Sequence, residues 1–185
     1  MFWIRKNGIV LANPSLNENL TSNADLKPHL QKIYNRSELR ILNCEGKIKA
    51  DIVSHFSEVP NNCTILNSTQ AGPRIYPEMN LEKEFFVTKK DGKIIRDSIG
   101  VFKRTDRSLV AIKGNFLYFI ITDEQTRLTI PELVEKLKKY KFEKVLNLDG
   151  GGSVSLFVRN KDGIFYQARE KNNTSRAIKS ALIVY

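Results

Sequence analysis

Val145-Leu146-Asn147-Leu148-Asp149-Gly150-Gly151-Gly152-Ser153-Val154-Ser155 says more about the fold than any other stretch of the chain. Leucines alternate with Asn147 and Asp149, which is the two-residue period of a strand. One face would carry both polar side chains and the other Leu146 and Leu148. Three glycines in succession have a large backbone entropy to lose on folding, so a stable domain needs a reason to keep them. A sharp bend, or a close approach to another group, is such a reason. Ser153 and Ser155 resume the alternation on the apolar run Val154 to Val158. The stretch therefore predicts strand, bend and strand, with a carboxylate, an amide, bare N–H groups and hydroxyls gathered at the bend. An isolated Asp-Gly pair would read as a capped hairpin turn, whereas Asn-x-Asp-Gly-Gly-Gly-Ser points to a polar-ligand site.

Upstream of this bend lies the clearest helix, over residues 130–140. Thr129 and Glu132 have capping-box spacing, and Pro131 falls in the first turn, where its missing N–H costs nothing. Ile130, Leu133, Val134, Leu137 and Tyr140 recur at helical spacing and make the buried face. Before the helix, Ser108 to Lys113 and Phe116 to Thr122 form a hairpin around Gly114-Asn115, a dipeptide tolerant of positive φ. Phe116 to Ile121 is apolar throughout and reads as a strand covered on both faces. Asp123-Glu124-Gln125 then returns polar groups to the strand's end.

Further upstream, Leu39 to Asn43 and Ile48 to Val53 flank the turn Cys44 to Lys47. Residues 65–68 lead into Gln70-Ala71-Gly72-Pro73-Arg74. Downstream, a strand over 164–168 follows the turn Lys161-Asp162-Gly163, and Ala181 to Tyr185 forms the last. The first thirty residues read as extended or loosely packed. Many strands and one packed helix predict an α+β domain with a mixed-sheet core, residues 1–185 forming one domain.

At 185 residues, 41% hydrophobic and 27% charged, the chain has the composition of an ordinary globular domain. No run approaches the ~20 apolar residues of a membrane span. The N-terminal apolar patch is too short for a signal-peptide core and precedes its charges, so the chain as given shows no export signal and the cytoplasm is the default. The net charge of +10 favours anionic partners. Its densest run, Lys136 to Lys144, lies on and just after the helix and reads as a solvated face. No zinc-finger, helix-turn-helix or aromatic RNA-binding pattern supports a nucleic-acid partner. Cys44 and Cys63 are as readily a disulfide as two buried thiols, and with His29 and His55 they lack zinc-ligand spacing. No metal or other cofactor is required by these motifs, and a divalent cation is left open.

Four stretches resemble the phosphodiester glycosidase domain family. Gln70-Ala71-Gly72-Pro73-Arg74-Ile75 is similar to its Gln-Ala-Gly-Pro-x-Leu element, and Arg107-Ser108-Leu109-Val110-Ala111-Ile112 to its Arg-Thr/Ser-Ala-Ile-Gly strand. Leu128-Thr129-Ile130-Pro131-Glu132-Leu133 resembles a helix start that leads into the hallmark, Asn147 to Ser153. Arg176 with Ser180 to Val184 resembles the terminal strand. The likeness covers about residues 65–185, and residues 1–64 are divergent or shortened relative to the family. The family's Asn-Gly-Gly-Phe/Tyr-Phe element has no counterpart here, and its Asp-Gly-Arg appears as Asp123-Glu124-Gln125, which retains only the acid.

The resemblance implies hydrolysis of a sugar-1-phosphodiester, an activity exported or envelope-associated in the family. Asp149 is the first candidate for the catalytic carboxylate and Asp123 the second. Asn147 and Ser153 would orient the sugar or Asp149. The N–H groups of Gly150, Gly151 and Gly152 could cradle an anion, and Arg74, Arg107 and Arg176 are candidates for the phosphate. Gln70 and Gly72 are further candidates for binding the substrate. A module that binds a sugar phosphate without catalysis, or a nucleotide-sequestering protein, would use the same bend and the same charge. A homo-oligomer is left open, since a second copy could supply the absent element.

Overall fold

The computed structural model describes residues 2–122, 125–159, 161–163, 165–168 and 182–183. Short turns set its architecture. Strand β3 (Ser37–Cys44) folds back on β4 (Lys47–Ser54) through Glu45-Gly46, both at positive φ, and Asn43 Oδ1 accepts from Gly46 N at 2.8 Å. On the other side of β3 lies β5 (Cys63–Gln70), followed by β1 (Ile4–Lys6) and β2 (Ile9–Ala12), in the order β2-β1-β5-β3-β4. Part of the loosely packed N-terminus is thus an ordered strand: Ile4 and Arg5 pair with Thr69 and Ser68. Two short helices, α1 (Glu18–Thr21) and α2 (Leu30–Tyr34), bridge β2 and β3. Cys44 and Cys63 stand opposite each other in register and are joined by a disulfide, which settles the cysteine question the sequence left open.

The second sheet has the order β10-β9-β11-β6, from β6 (Arg74–Tyr76), β9 (Arg107–Lys113), β10 (Phe116–Ile121) and β11 (Lys144–Gly150). Hairpins β7 (Val87–Lys90) with β8 (Lys93–Asp97), and β12 (Leu156–Arg159) with β13 (Phe165–Ala168), stand apart. The two larger sheets pack face to face through Leu39, Ile52, Val110, Ile112 and Leu146. The outer face of the second sheet carries Leu109, Ala111 and Val145, covered by Ile130, Leu133, Val134 and Leu137 of helix α3 (Ile130–Lys138). Burying such a side chain contributes about 1.5–3 kcal/mol, which holds this nine-residue helix in place more firmly than its propensity would. The capping box forms: Thr129 N donates to Glu132 Oε2 at 2.9 Å and Glu132 N to Thr129 Oγ1 at 3.3 Å. No helix among the described residues is long and apolar enough to cross a membrane.

The expected α+β class with a mixed-sheet core is corrected. The described chain is 43% strand and 17% helix, its helices are short, and every strand pairing described is antiparallel. The misreading has a physical source. Helix α3 links β10 to β11, and these two strands do run in the same direction, as a helical crossover suggests. Strand β9 lies between them, however, and both pair with it antiparallel. The fully covered strand is a second correction. Strand β10 is an edge, and Phe116 and Tyr118 are exposed on it. The expected strand at Ala181 to Tyr185 lies largely outside the described residues.

Candidate functional site

The glycine bend follows an interruption in strand pairing. Asn147 stands opposite Leu109, while Gly150 stands opposite Arg107, so Leu148 and Asp149 together face the single residue Ser108. This is a β-bulge, which bends a strand and re-aims its side chains. It breaks the regular alternation the sequence suggested. Asn147 is buried at 2% exposure, Leu148 packs toward the inter-sheet core, and Asp149 is exposed. Ser108 Oγ pins the bulge by donating to the Asp149 carbonyl at 2.5 Å.

Past the bulge the backbone runs close to β9. A Cβ on Gly150 would lie 3.0 Å from the Asp106 carbonyl, and Gly151 takes φ +61. Gly151 N donates to that same carbonyl at 2.9 Å, and Gly150 N donates to Asp149 Oδ1 at 2.9 Å. Two of the three glycine amides are therefore engaged inside the protein and do not face a ligand. A single 3-10 turn, Gly151–Ser153, ends the bend.

Around the bend lies a polar group that sequence reasoning did not single out. Asp106, 4% exposed, accepts from Arg127 in a two-pronged pair, Nε to Oδ1 at 2.8 Å and Nη2 to Oδ2 at 3.2 Å. The Arg127 side chain remains 40% exposed. Asp106 thus binds the glycine turn through its backbone and an arginine through its side chain. Thr105-Asp106 precedes β9 and says little in isolation. Its meaning depends on the pairing that sets Arg107 opposite Gly150.

Arg107, a candidate for the phosphate, is buried to 2% and donates to the carbonyls of Ile99 (2.9 Å), Gly100 (2.5 Å) and Lys103 (3.0 Å). It staples the 99–103 loop, and burial lowers its pKa against the opposing charge of Asp97. Gln70 is also internal: its Nε2 donates to Tyr34 O at 2.8 Å and Arg36 O at 3.1 Å. Gly72, at φ +127, donates its N–H to Asn147 O at 2.9 Å, and a Cβ there would meet Glu84 Oε2 at 2.7 Å. Only glycine fits that position. Asn147 Nδ2 donates to the carbonyls of Leu148 (2.6 Å) and Gly72 (3.4 Å), leaving its Oδ1 buried with no partner among the described residues.

Arg74 stands opposite Leu146, whose side chain lies between the two sheets. It opens into a cleft at that edge, away from the glycine bend. The structure therefore brings Asp149, Gly150, Gly151, Gly152 and Ser153 together with Ser108, Asp106 and Arg127, with Asn147 beneath them. It does not bring Gln70, Arg74 or the Arg107 guanidinium to that place. Asp123 and Arg176 lie outside the described residues. Among the described residues no group of three or more His, Cys, Asp or Glu side chains is placed to hold a metal ion.

The family model described as phosphodiester glycosidase matches residues 61–185, which include every residue of this site. No match appears among curated proteins or among solved structures.

Proposed function

The chain belongs to the phosphodiester glycosidase family, and from that premise we propose that it hydrolyses a sugar-1-phosphodiester, releasing the sugar from its phosphate-linked acceptor. Asp149 is the carboxylate that acts at the anomeric carbon, as base, nucleophile or partner of the oxocarbenium-like transition state. The observation that carries this reading is the bulge: it delivers an exposed acid from a buried strand and braces it with Gly150 N. Arg127, steered by Asp106, supplies the cation for the departing phosphate, since the Arg107 guanidinium is committed to carbonyls. A guanidinium fork suits phosphate oxygens and stabilises charge that grows as the leaving group departs. Ser153 and Gly152 border the sugar, and Asn147 holds the bend from below. Asp123 as second acid and Arg176 as second cation rest on the sequence resemblance alone.

The test is free sugar released from UDP-GlcNAc and from a GlcNAc-α-phosphodiester. Release by the wild type and its loss in Asp149→Asn supports the reading. A second reading, binding of a sugar phosphate without turnover, draws on the engagement of the Gly150 and Gly151 amides, which leaves fewer donors for transition-state charge. Saturable binding of either compound with no sugar released would establish that reading in place of the first.

A further inference from the structure

A cleft of about 380 Å³ lies at the edge where Arg74 leaves β6, lined by Gln31, Lys32, Asn35, Ser54, Arg74, Asn80, Lys83 and Glu84. Residues from α2, the end of β4, β6 and the 80–84 segment converge on it. Its wall at Arg74 is braced. Asn80 N donates to Arg74 O at 2.9 Å and Glu84 N to Asn80 O at 3.0 Å. Glu84 Oε1 accepts from Ser37 Oγ at 2.8 Å and from Arg74 N at 3.3 Å. With its amide oriented to satisfy both ends, Asn80 takes Arg74 Nε at 3.2 Å and Nη2 at 3.0 Å on its oxygen.

The charges on this frame do not balance. Arg74 is half-buried and forms no ion pair among the described residues; the exposed Glu78, paired with Lys83, acts on it only weakly. Lys32 is exposed at the cleft with no ion pair among them either, and Lys83 shares only the surface acid Glu78, at 2.9 Å. The one carboxyl in the lining, Glu84, is 3% exposed, and burial pushes its pKa up despite hydrogen bonds from Ser37, Arg74 N and Asn80. A partly buried cation whose counter-charge is weak and exposed is costly unless an anion joins it. Three cations around one space favour a dianion over a monoanion, and the volume falls within the range of small-ligand sites.

We propose that this cleft is an anion site, separate from the glycine bend, that takes the dianionic phosphate of a phosphomonoester or of free phosphate on Arg74, Lys32 and Lys83. Arg74 supplies the fixed fork and the lysines supply mobile charge. The cleft opens on the inter-sheet side, and Leu146, opposite Arg74, is three residues from Asp149 along the strand, or about 10 Å. The site therefore stands whether or not Asp149 is catalytic.

Calorimetric titration of the full chain with inorganic phosphate, glucose 6-phosphate and glucose tests it. Saturable binding of both phosphates and none of glucose is expected. Tighter binding of glucose 6-phosphate would assign the cleft to a phosphorylated small molecule, and equal binding to phosphate itself. Arg74→Gln should weaken binding by about tenfold or more, the loss of one charge-assisted hydrogen-bonding group. The double variant Lys32→Gln/Lys83→Gln changes only exposed side chains and should also weaken binding several-fold, so the test holds even if Arg74→Gln fails to fold. No saturable binding of phosphate through the millimolar range, or binding indifferent to these variants, overturns the proposal.

Discussion

Adjacent residues on β3 belong to two charge clusters of opposite kind. Glu38, 1% exposed, accepts from Arg40 Nε at 2.6 Å and pairs with His55 Nδ1 at 2.8 Å. Arg40 fills its remaining donors on the carbonyls of Ser54, His55, Ser57 and Glu58, and Trp3 stacks on the His55 ring. Ser37 instead reaches Glu84, whose Oε2 is buried with no hydrogen-bond partner among the described residues, beside Arg74, which forms no ion pair among them. The first cluster is closed and the second has capacity left over. Burial alone would raise the Glu38 pKa, but the hydrogen bonds and charges of His55 and Arg40 outweigh it and hold the carboxyl below the usual range. For Glu84 burial wins, and the pKa rises. A saturated cluster is architecture, and an unsaturated one is where a ligand gains most.

The glycine bend carries another pair of acids, Asp106 buried against Arg127 and Asp149 exposed. The sharpest way to break it is Asp149→Asn. Loss of a catalytic carboxylate should lower sugar release by about a thousandfold, with urea unfolding within about 0.5 kcal/mol of wild type because the side chain is exposed. A thousandfold loss accompanied by unfolding would make the acid structural.

Next in size is Arg40→Met, which strands Glu38 in the interior and should cost about 3–5 kcal/mol in urea denaturation. Arg74→Met, by contrast, should cost about 1–3 kcal/mol, since it breaks no ion pair and only takes the Arg74 donors from the Asn80 oxygen. Equal costs would erase the distinction between closed and open clusters.

Gly72→Ala should cost roughly 1–3 kcal/mol, because it meets both positive φ and the Glu84 carboxyl. The companion change Glu84→Gln would not relieve it, and a mild effect at Gly72 would mean that the 80–84 segment yields.

The smallest effect is in pH dependence, and its sign separates the clusters. Glu38, with a lowered folded-state pKa, contributes stability present above the unfolded carboxyl value and lost as pH falls through the folded one. Glu84, with a raised pKa, contributes stability present below the unfolded value and lost as pH rises through the folded one. Glu38→Gln should therefore flatten the acid limb of a stability profile, and Glu84→Gln should remove a decline on the rising side. Slopes of the same sign would refute the contrast.

Legibility from sequence followed locality. The capping box at Thr129 and Glu132, the Gly114-Asn115 hairpin and the Cys44 to Lys47 turn are set by residues within a few positions of each other, and each forms where the pattern placed it. Sheet order was not legible, since nothing in β10 or β11 states that β9 lies between them. The site divided the same way. Asp149 stood out by its neighbours in the chain. That Arg107 would be enclosed by three carbonyls while Arg127 stayed at the surface was fixed by the 99–103 loop and by Asp106, which no local pattern reveals. The bulge was hidden too, because a run of alternating residues looks the same whether or not its partner keeps step.

That mismatch of two residues against one makes the site unusually sensitive to chain length. Removing the codon for Leu148 would restore step with Ser108 and swing the aspartate into the apolar layer that leucine now fills. Such a chain would keep every polar residue of the bend and still lose the acid from solvent. Across diverging copies of this gene, in-frame deletions at this one position should be rarer than substitutions there.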